Sequence, residues 1–99
     1  MRSSRSLASS VVKVTAIPAA AVITAAQVLP AQTARSFWSV YNGTDAIISV
    51  YLCDKIATPG QGITVKVAIG GYFEDPCNYQ GPISFEGGTT GSSVVTEYL

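Results

Sequence analysis

The chain has 99 residues, of which 47% are hydrophobic and 12% charged, which fits one small globular domain and excludes a disordered tail. It contains no histidine, so Ser-His-Asp triads, Cys-His dyads and histidine-ligated metal sites are excluded. Six basic and six acidic residues give a net charge of zero.

The charges are unevenly distributed along the chain. Residues 1–36 carry four basic residues and no acidic one, whereas residues 37–99 carry two basic and six acidic residues. This asymmetry predicts that the first third contacts an acidic surface on its own body, on a neighbouring copy or on another polyanion. Chance placement of the charges is the alternative. Nucleic acid is not an expected partner, because no aromatic residues lie between the early cations.

The first 27 residues allow two interpretations. Arg2 and Arg5 followed by a mostly apolar stretch over 11–26 resemble a secretory signal peptide. Lys13 and Pro18 interrupt that stretch, and serine-rich residues separate it from the arginines, which favours an uncleaved segment. The apolar run is also too short to span a bilayer, so no membrane partner is expected. We therefore predict an extended N-terminal arm over 1–27 and a β-domain over 28–99.

Strand patterns recur in the first half of the chain. Residues 11–17 predict a short strand that Pro18 ends, and residues 19–27 are predicted to be extended or irregular. Residues 36–41 read SFWSVY and predict a strong strand, which Asn42-Gly43 is expected to end in a hairpin turn. Residues 46–52 alternate between apolar and mixed positions, as a half-buried strand does.

The second half continues the same pattern. Residues 63–69 predict another alternating strand, 72–81 a polar loop, 83–85 a short strand, 87–91 a turn and 94–98 a final strand. Short strands separated by glycine and proline predict an all-β fold, a small antiparallel β-sandwich or barrel with an extended N-terminal arm. The residues expected to form its core are Trp38, Val40, Ile48, Val50, Val65, Val67, Ile83, Phe85 and Val94.

Two cysteines, Cys53 and Cys77, leave the redox setting open. Outside a cell they could form one disulfide across a long loop, whereas in a cytosol they would be free thiols. Free thiols are the preferred interpretation.

The sequence contains no recognisable catalytic constellation. Glu74 and Asp75 are adjacent, and adjacent side chains diverge in an extended chain, so they cannot act together as an acid–base pair. No nucleophile has a base to activate it. We expect no enzymatic activity, no small-molecule substrate, no cofactor and no bound metal.

A series of short motifs resembles a known group of proteins. The series is LPAQTAR over 29–35, YNGT over 41–44, VYL over 50–52, GQGI over 60–63, GYFED over 71–75, YQGPI over 79–83 and VVTE over 94–97. This order resembles small β-sandwich capsid decoration, cement or head-fibre-base proteins of tailed bacteriophages. The resemblance covers residues 28–99 and implies an all-β body on an assembled shell, with Arg35 and Asn42 as structural hydrogen-bonding groups. It implies no catalytic residues.

The resemblance implies a virion structural protein that decorates or cements a capsid. Its partners would be copies of itself, as a trimer, and the major capsid protein or another virion protein, on a capsid surface assembled in the host cytoplasm. The alternative is a secreted or surface-exposed bacterial β-domain, adhesin-like or pilin-like, with a cleaved signal peptide and a Cys53–Cys77 disulfide.

An extended arm with β-favouring residues can add a strand to a neighbour's sheet edge. We therefore predict that the arm crosses onto another subunit and places Arg2, Arg5 or Lys13 near acidic groups. The loop that begins at Tyr72 is a second expected contact, because loops are the usual place for binding. The predicted interface residues are Arg2, Arg5, Val12, Lys13, Val14, Tyr72 and Phe73.

Overall fold

The computed structural model describes residues 11–99, and its strands form one antiparallel β-structure. The predicted all-β fold is confirmed. None of the helical residues within 11–99 forms a segment that could cross a membrane. The elements are β1 (Val12–Ala20), a short 3-10 helix (Ala25–Gln27), β2 (Val28–Leu29), β3 (Phe37–Thr44), β4 (Ile48–Tyr51), β5 (Thr64–Val67), β6 (Tyr72–Glu74) and β7 (Ile83–Tyr98).

The last strand organises the fold, because it belongs to two sheets. The first sheet has the strand order β1-β7-β3-β6 and uses the C-terminal half of β7. The second sheet has the order β2-β7-β4-β5 and uses the N-terminal half of β7. The two sheets therefore meet along β7 and enclose the core in a nearly closed barrel.

The stretch 87–91, which the sequence predicts to be a turn, lies inside β7. The chain bends there without reversing, and glycines make the bend possible. Gly87 has a φ of +130° and Gly91 a φ of +81°, a region that side chains rarely adopt. A Cβ at Gly87 would also lie 2.7 Å from the carbonyl oxygen of Ile47. The glycine-rich run thus carries β7 from one sheet to the other.

The hairpin turn predicted at Asn42-Gly43 is also wrong, because both residues lie within β3. β3 and β4 do not pair with each other; each pairs with a different half of β7. The buried Asn42 side chain shapes the connection that follows. Its Nδ2 donates to the carbonyls of Ala46 at 2.8 Å and Val67 at 3.0 Å, and its Oδ1 accepts from the Thr44 amide at 2.9 Å. The structural hydrogen-bonding role implied for Asn42 is confirmed.

Asp45 holds the bend of β7 against the β3–β4 connection. Its carboxylate accepts hydrogen bonds from the Thr89 hydroxyl at 2.6 Å, the Thr89 amide at 2.7 Å and the Thr90 amide at 3.2 Å. The Thr89 hydroxyl and amide, followed by the Thr90 amide, lower the pKa of Asp45 well below its usual 3.8.

We expect this contact to make stability depend on pH in the acid range. A carboxyl whose folded-state pKa is lowered stabilises the fold above its unfolded pKa and loses that contribution as the pH falls toward the folded-state value. As the pH is lowered below about 4, the urea midpoint of the wild type should therefore decrease, and the urea midpoint of Asp45→Asn should decrease less. Equal pH dependence in both proteins would contradict this assignment.

The described part of the predicted arm is built into the first sheet of its own chain. β1 pairs antiparallel with β7 from Val12 opposite Tyr98 to Pro18 opposite Ser92, and Ile17 is buried in the core. For residues 11–27, the prediction that the arm crosses to another subunit is therefore wrong. Residues 1–10 lie outside the described residues.

Pro18 does not end β1, which continues to Ala20. Val11 and Leu99 exchange both of their backbone hydrogen bonds, at 3.3 and 2.8 Å. In an antiparallel pair such residues alternate with residues whose backbone groups point away from the partner strand. Pro18 occupies one of these outward positions, where its missing N–H removes no bond to β7.

The core contains most of the residues that the alternation predicts. Seven of the nine are buried: Trp38, Val40, Ile48, Val50, Val67, Ile83 and Phe85. Val65 is partly buried and packs against them. Val94 is the exception. The inward core residues of β7 are odd-numbered on both sides of the bend (Ile83, Phe85 and Val95), so the two-residue alternation continues through the bend and Val94 points outward.

A buried ion pair joins the start of β3 to the end of β7. Arg35 and Glu97 have side-chain exposures of 0% and 3%, and Arg35 Nε donates to Glu97 Oε2 at 2.8 Å. The guanidinium also donates to the carbonyls of Pro30 at 2.8 Å and Gly81 at 2.9 Å. The structural role implied for Arg35 is confirmed, and this cation of the basic first third contacts an acid of its own body.

The polar loop predicted over 72–81 begins as a strand, because Tyr72–Glu74 form β6 along β3. The remainder is an irregular loop arranged around Asp75. Its carboxylate accepts from the amides of Cys77 at 3.1 Å and Tyr79 at 3.0 Å, while its own amide donates to the Trp38 carbonyl at 2.8 Å.

Candidate interaction surface

The outward side of the first sheet is apolar and aromatic. Directly paired residues in adjacent strands share one side of a sheet, so the register identifies which side chains lie together. We call this surface the aromatic face. Glu74 is the only charged residue among its strand positions, which are Val12, Val14, Ala16, Pro18, Phe37, Ser39, Tyr41, Gly43, Tyr72, Glu74, Ser92, Val94, Thr96 and Tyr98.

The aromatic side chains form two rows that cross the sheet. In one row Val94 and Tyr72 flank Tyr41, and Tyr41 and Tyr72 are 47% and 60% exposed. In the other, Tyr98 lies opposite both Val12 and Phe37, with the Phe37 and Tyr98 ring centroids 5.8 Å apart. A polar row containing Thr96 and Ser39 separates them. Clusters of exposed aromatic and branched side chains of this kind are typical of interaction sites.

The outward side of the second sheet is polar and internally paired. Lys66 Nζ donates to Ser49 Oγ at 2.7 Å, and the Tyr51 hydroxyl donates to Glu86 Oε1 at 2.6 Å. The hydrogen bond to Glu86, aided by burial, raises the pKa of Tyr51 above its usual value. The outward side of the second sheet therefore has the polar composition of an ordinary water-facing surface. The apolar composition of the aromatic face is not shared by this side.

The structure brings together three of the predicted interface residues. Val12, Val14 and Tyr72 lie on the aromatic face, on its two outermost strands. Lys13 lies on the opposite side of β1, exposed and in register with Glu97, whose carboxylate binds Arg35.

The prediction that Phe73 belongs to the interface is wrong. Its side chain turns inward and packs on Trp38, with ring centroids 5.9 Å apart, because it alternates with Tyr72 along β6. Arg2 and Arg5 lie outside the described residues, so their predicted contacts stay predictions.

Sequence reasoning missed Phe37, Tyr41, Val94 and Tyr98. The apolar residues on both sides of the strand at 36–41 were a usable signal, because one side of a strand has to face away from the core. The pairing of Phe37 with Tyr98 depends on β3 lying beside β7, which are far apart in sequence.

The two edges of the first sheet differ in how much backbone they expose. Within the described residues, β1 pairs only with β7, and Val12, Val14 and Ala16 point their N–H and C=O groups away from it, in alternation with Val11. β6 has three residues, and the bonds of Gly71 and Asp75 to β3 leave only Tyr72 and Glu74 facing outward. The β6 edge is short and ends in the charge of Glu74, so it is a poor template for pairing with another strand. The β1 edge is longer and is therefore a better template.

One apolar groove of about 560 Å³ lies between the loops beside β2 and β4. Asp54 is the only ionisable residue that lines it, and its carboxylate accepts hydrogen bonds from the amides of Ile56 and Ala57. The Asp54 carboxylate is therefore hydrogen-bonded within its own loop. The groove lining contains no second side chain that could act with it as an acid–base pair.

Both cysteines are unbonded in the structure. The Cys53 thiol donates to the carbonyl of Gln61 at 2.9 Å and is partly exposed, and Cys77 is exposed on the loop after β6.

Comparison with known proteins adds one fold relationship. No family model matches the chain, and a search of curated protein sequences gave no match. The fold is similar to a solved structure described as "Bacillus endospore appendages form a novel family of disulfide-linked pili", with a TM-score of 0.52. The two chains are 13% identical over 91% of this chain and 87% of the other. The likeness shows that this β-fold also occurs in a pilus protein.

Proposed function

We propose that the protein is a non-enzymatic structural subunit that associates with copies of itself through the aromatic face and its adjoining β1 edge. The observation that carries the proposal is the contrast between the two outward sides of the barrel. One side has a single charge among fourteen strand positions, and the other is polar and paired. Covering the aromatic face with a second apolar surface would remove Tyr41, Tyr72 and Val14 from water, which is favourable.

The fold relationship supports an extracellular appendage as the setting. The similar structure is described as belonging to disulfide-linked pili, so this β-fold is compatible with a polymer of subunits. The proposal corresponds to the surface-exposed, pilin-like alternative from the sequence. Cys77 is exposed and would be available for oxidation in such a compartment.

A charge on the aromatic face is expected to disrupt association through that face. Tyr41→Lys places an ammonium group at the centre of one aromatic row, where burying it against apolar side chains is costly. Its control is Thr64→Lys, an exposed position on the polar side of the second sheet. Size-exclusion chromatography with light scattering should show larger species for the wild type and Thr64→Lys than for Tyr41→Lys, which keeps the β1 edge but loses the contact between aromatic faces. Association of folded Tyr41→Lys at the wild-type level would contradict the proposal.

A virion decoration role is the second proposal, and the order of the motifs over 29–97 favours it. The extracellular and virion settings predict different N-termini and different oxidation states of the cysteines. Secretion would remove an N-terminal segment and permit a Cys53–Cys77 disulfide, whereas assembly in a host cytoplasm would leave the N-terminus uncleaved and both thiols reduced. Intact-mass spectrometry of the native protein, with and without thiol alkylation, separates them. Co-purification with capsids would favour the virion role.

A further inference from the structure

We infer that the β1 edge pairs antiparallel with the β1 edge of a second copy, with Val14 on the two-fold axis. This inference rests on the proposed self-association and adds a contact between β1 edges to the contact between aromatic faces. It would join the first sheets of two copies into one continuous sheet of eight strands.

The backbone of β1 defines where pairing can occur. Val12, Val14 and Ala16 each offer one outward N–H and one outward C=O, in the alternation fixed by the Val11–Leu99 pair. The next outward position is Pro18, which has no N–H to donate and therefore ends the pairing on that side. The described edge thus offers three consecutive donor–acceptor positions, with Val14 in the middle.

Such a segment is complementary to itself. With Val14 opposite Val14 of the partner subunit, Val12 lies opposite Ala16 of the partner subunit, and every outward N–H meets a C=O. Lys13 lies opposite Thr15 of the partner subunit, so this register places no two like charges directly opposite each other. Val12 and Val14, which are 53% and 63% exposed, would extend the aromatic face across the junction.

The alternative partner edge is β6, and the observations favour it less. Within the described residues, β6 offers only two outward positions, one of which carries the charge of Glu74. Proteins commonly protect sheet edges by shortness and charge, and β1 has neither along its outward positions.

Proline and threonine at Val14 separate backbone pairing from side-chain packing. Val14→Pro removes one outward N–H without removing a bond to β7, as Pro18 already does two outward positions later. Val14→Thr keeps the N–H and the branched shape but makes the side chain more polar. We expect Val14→Pro to lose the edge-paired species and to form smaller assemblies than the wild type in sedimentation velocity, and Val14→Thr to retain the wild-type assemblies.

Cysteine cross-linking tests the register directly and does not depend on whether the proline variant folds. Val14→Cys is placed in the full chain with Cys53→Ser and Cys77→Ser, and oxidation should give a disulfide-linked dimer, because paired Cα atoms in such a register lie about 5.5 Å apart. Thr15→Cys, which points to the other side of β1 and lies opposite Lys13 of the partner subunit, is the matched control and should give little dimer.

The outcomes distinguish this inference from the proposed function. A folded Val14→Pro variant that associates like the wild type overturns the edge pairing and leaves self-association standing. Efficient cross-linking of mixed Val14→Cys and Tyr72→Cys copies, without Val14→Cys homodimers, assigns the contact to β6 and also overturns it. A wild type that stays monomeric at all concentrations overturns both proposals.

Discussion

Replacing Arg35 with methionine is expected to lower the free energy of unfolding by about 3–5 kcal/mol. The substitution removes the guanidinium but leaves Glu97, which is only 3% exposed, as a buried carboxylate without its counter-charge. It also leaves the carbonyls of Pro30 and Gly81 without their donor. A domain of this size is stable by only about 5–15 kcal/mol, so urea denaturation should show a large fall in midpoint.

A double variant provides the control for this prediction. Arg35→Met combined with Glu97→Leu removes both charges, and apolar replacement of a buried ion pair often restores much of the stability lost in the single variant. The double variant should therefore be more stable than Arg35→Met alone. Arg35→Lys keeps the charge but loses the planar set of donors, and should lie between the wild type and Arg35→Met. An Arg35→Met midpoint within error of the wild type would contradict the structural role assigned to the pair.

Trp38→Ala is expected to lower the free energy of unfolding by about 3–5 kcal/mol. Trp38 is completely buried in the core and packs on Phe73, so the truncation leaves a large cavity under β6. Trp38→Phe should cost much less. It keeps most of the ring volume and removes Nε1, which has no hydrogen-bond partner among the described residues.

The two Trp38 variants are compared by far-UV circular dichroism in urea, because Trp38 is the only tryptophan and its fluorescence is lost in both. A ranking of wild type, then Trp38→Phe, then Trp38→Ala is expected. Equal midpoints for the two variants would show that packing around the ring contributes little.

The sequence predicted strands and their inward residues well, because alternation is a local property. Ile48 and Val50 were expected on one side of a strand, and both are buried there. The same reasoning identified Trp38 and Val40 in β3. These positions need only the two-residue period of an extended chain and a core on one side.

Connections were predicted less well, because glycine motifs have more than one structural use. Asn42-Gly43 has the composition of a hairpin turn, yet Asn42 is buried and bonded to Val67 from within β3. The glycines of 87–91 bend β7 between sheets and do not reverse the chain. The sequence predicted 83–85 and 94–98 as separate strands, so the alternation was not continued from Phe85 to Val95, and Val94 was wrongly expected to be the inward residue.

The candidate surface was predicted only in part, because it depends on contacts between strands that are far apart in sequence. Val12, Val14 and Tyr72 were identified as contact residues from their local context, but the surface that contains them exists only when β1, β7, β3 and β6 lie side by side. Tyr41 joins Tyr72 through a pairing between β3 and β6, which are about thirty residues apart. Long-range register of this kind is not encoded in any short segment.

Sedimentation velocity of the full-length wild type over a wide concentration range tests the central claim most directly. If the aromatic face and β1 edge join copies of the chain, species larger than the monomer should accumulate as concentration rises, and Tyr41→Lys should form smaller species than the wild type. A single monomeric species at every concentration, for wild type and variant alike, would contradict the account.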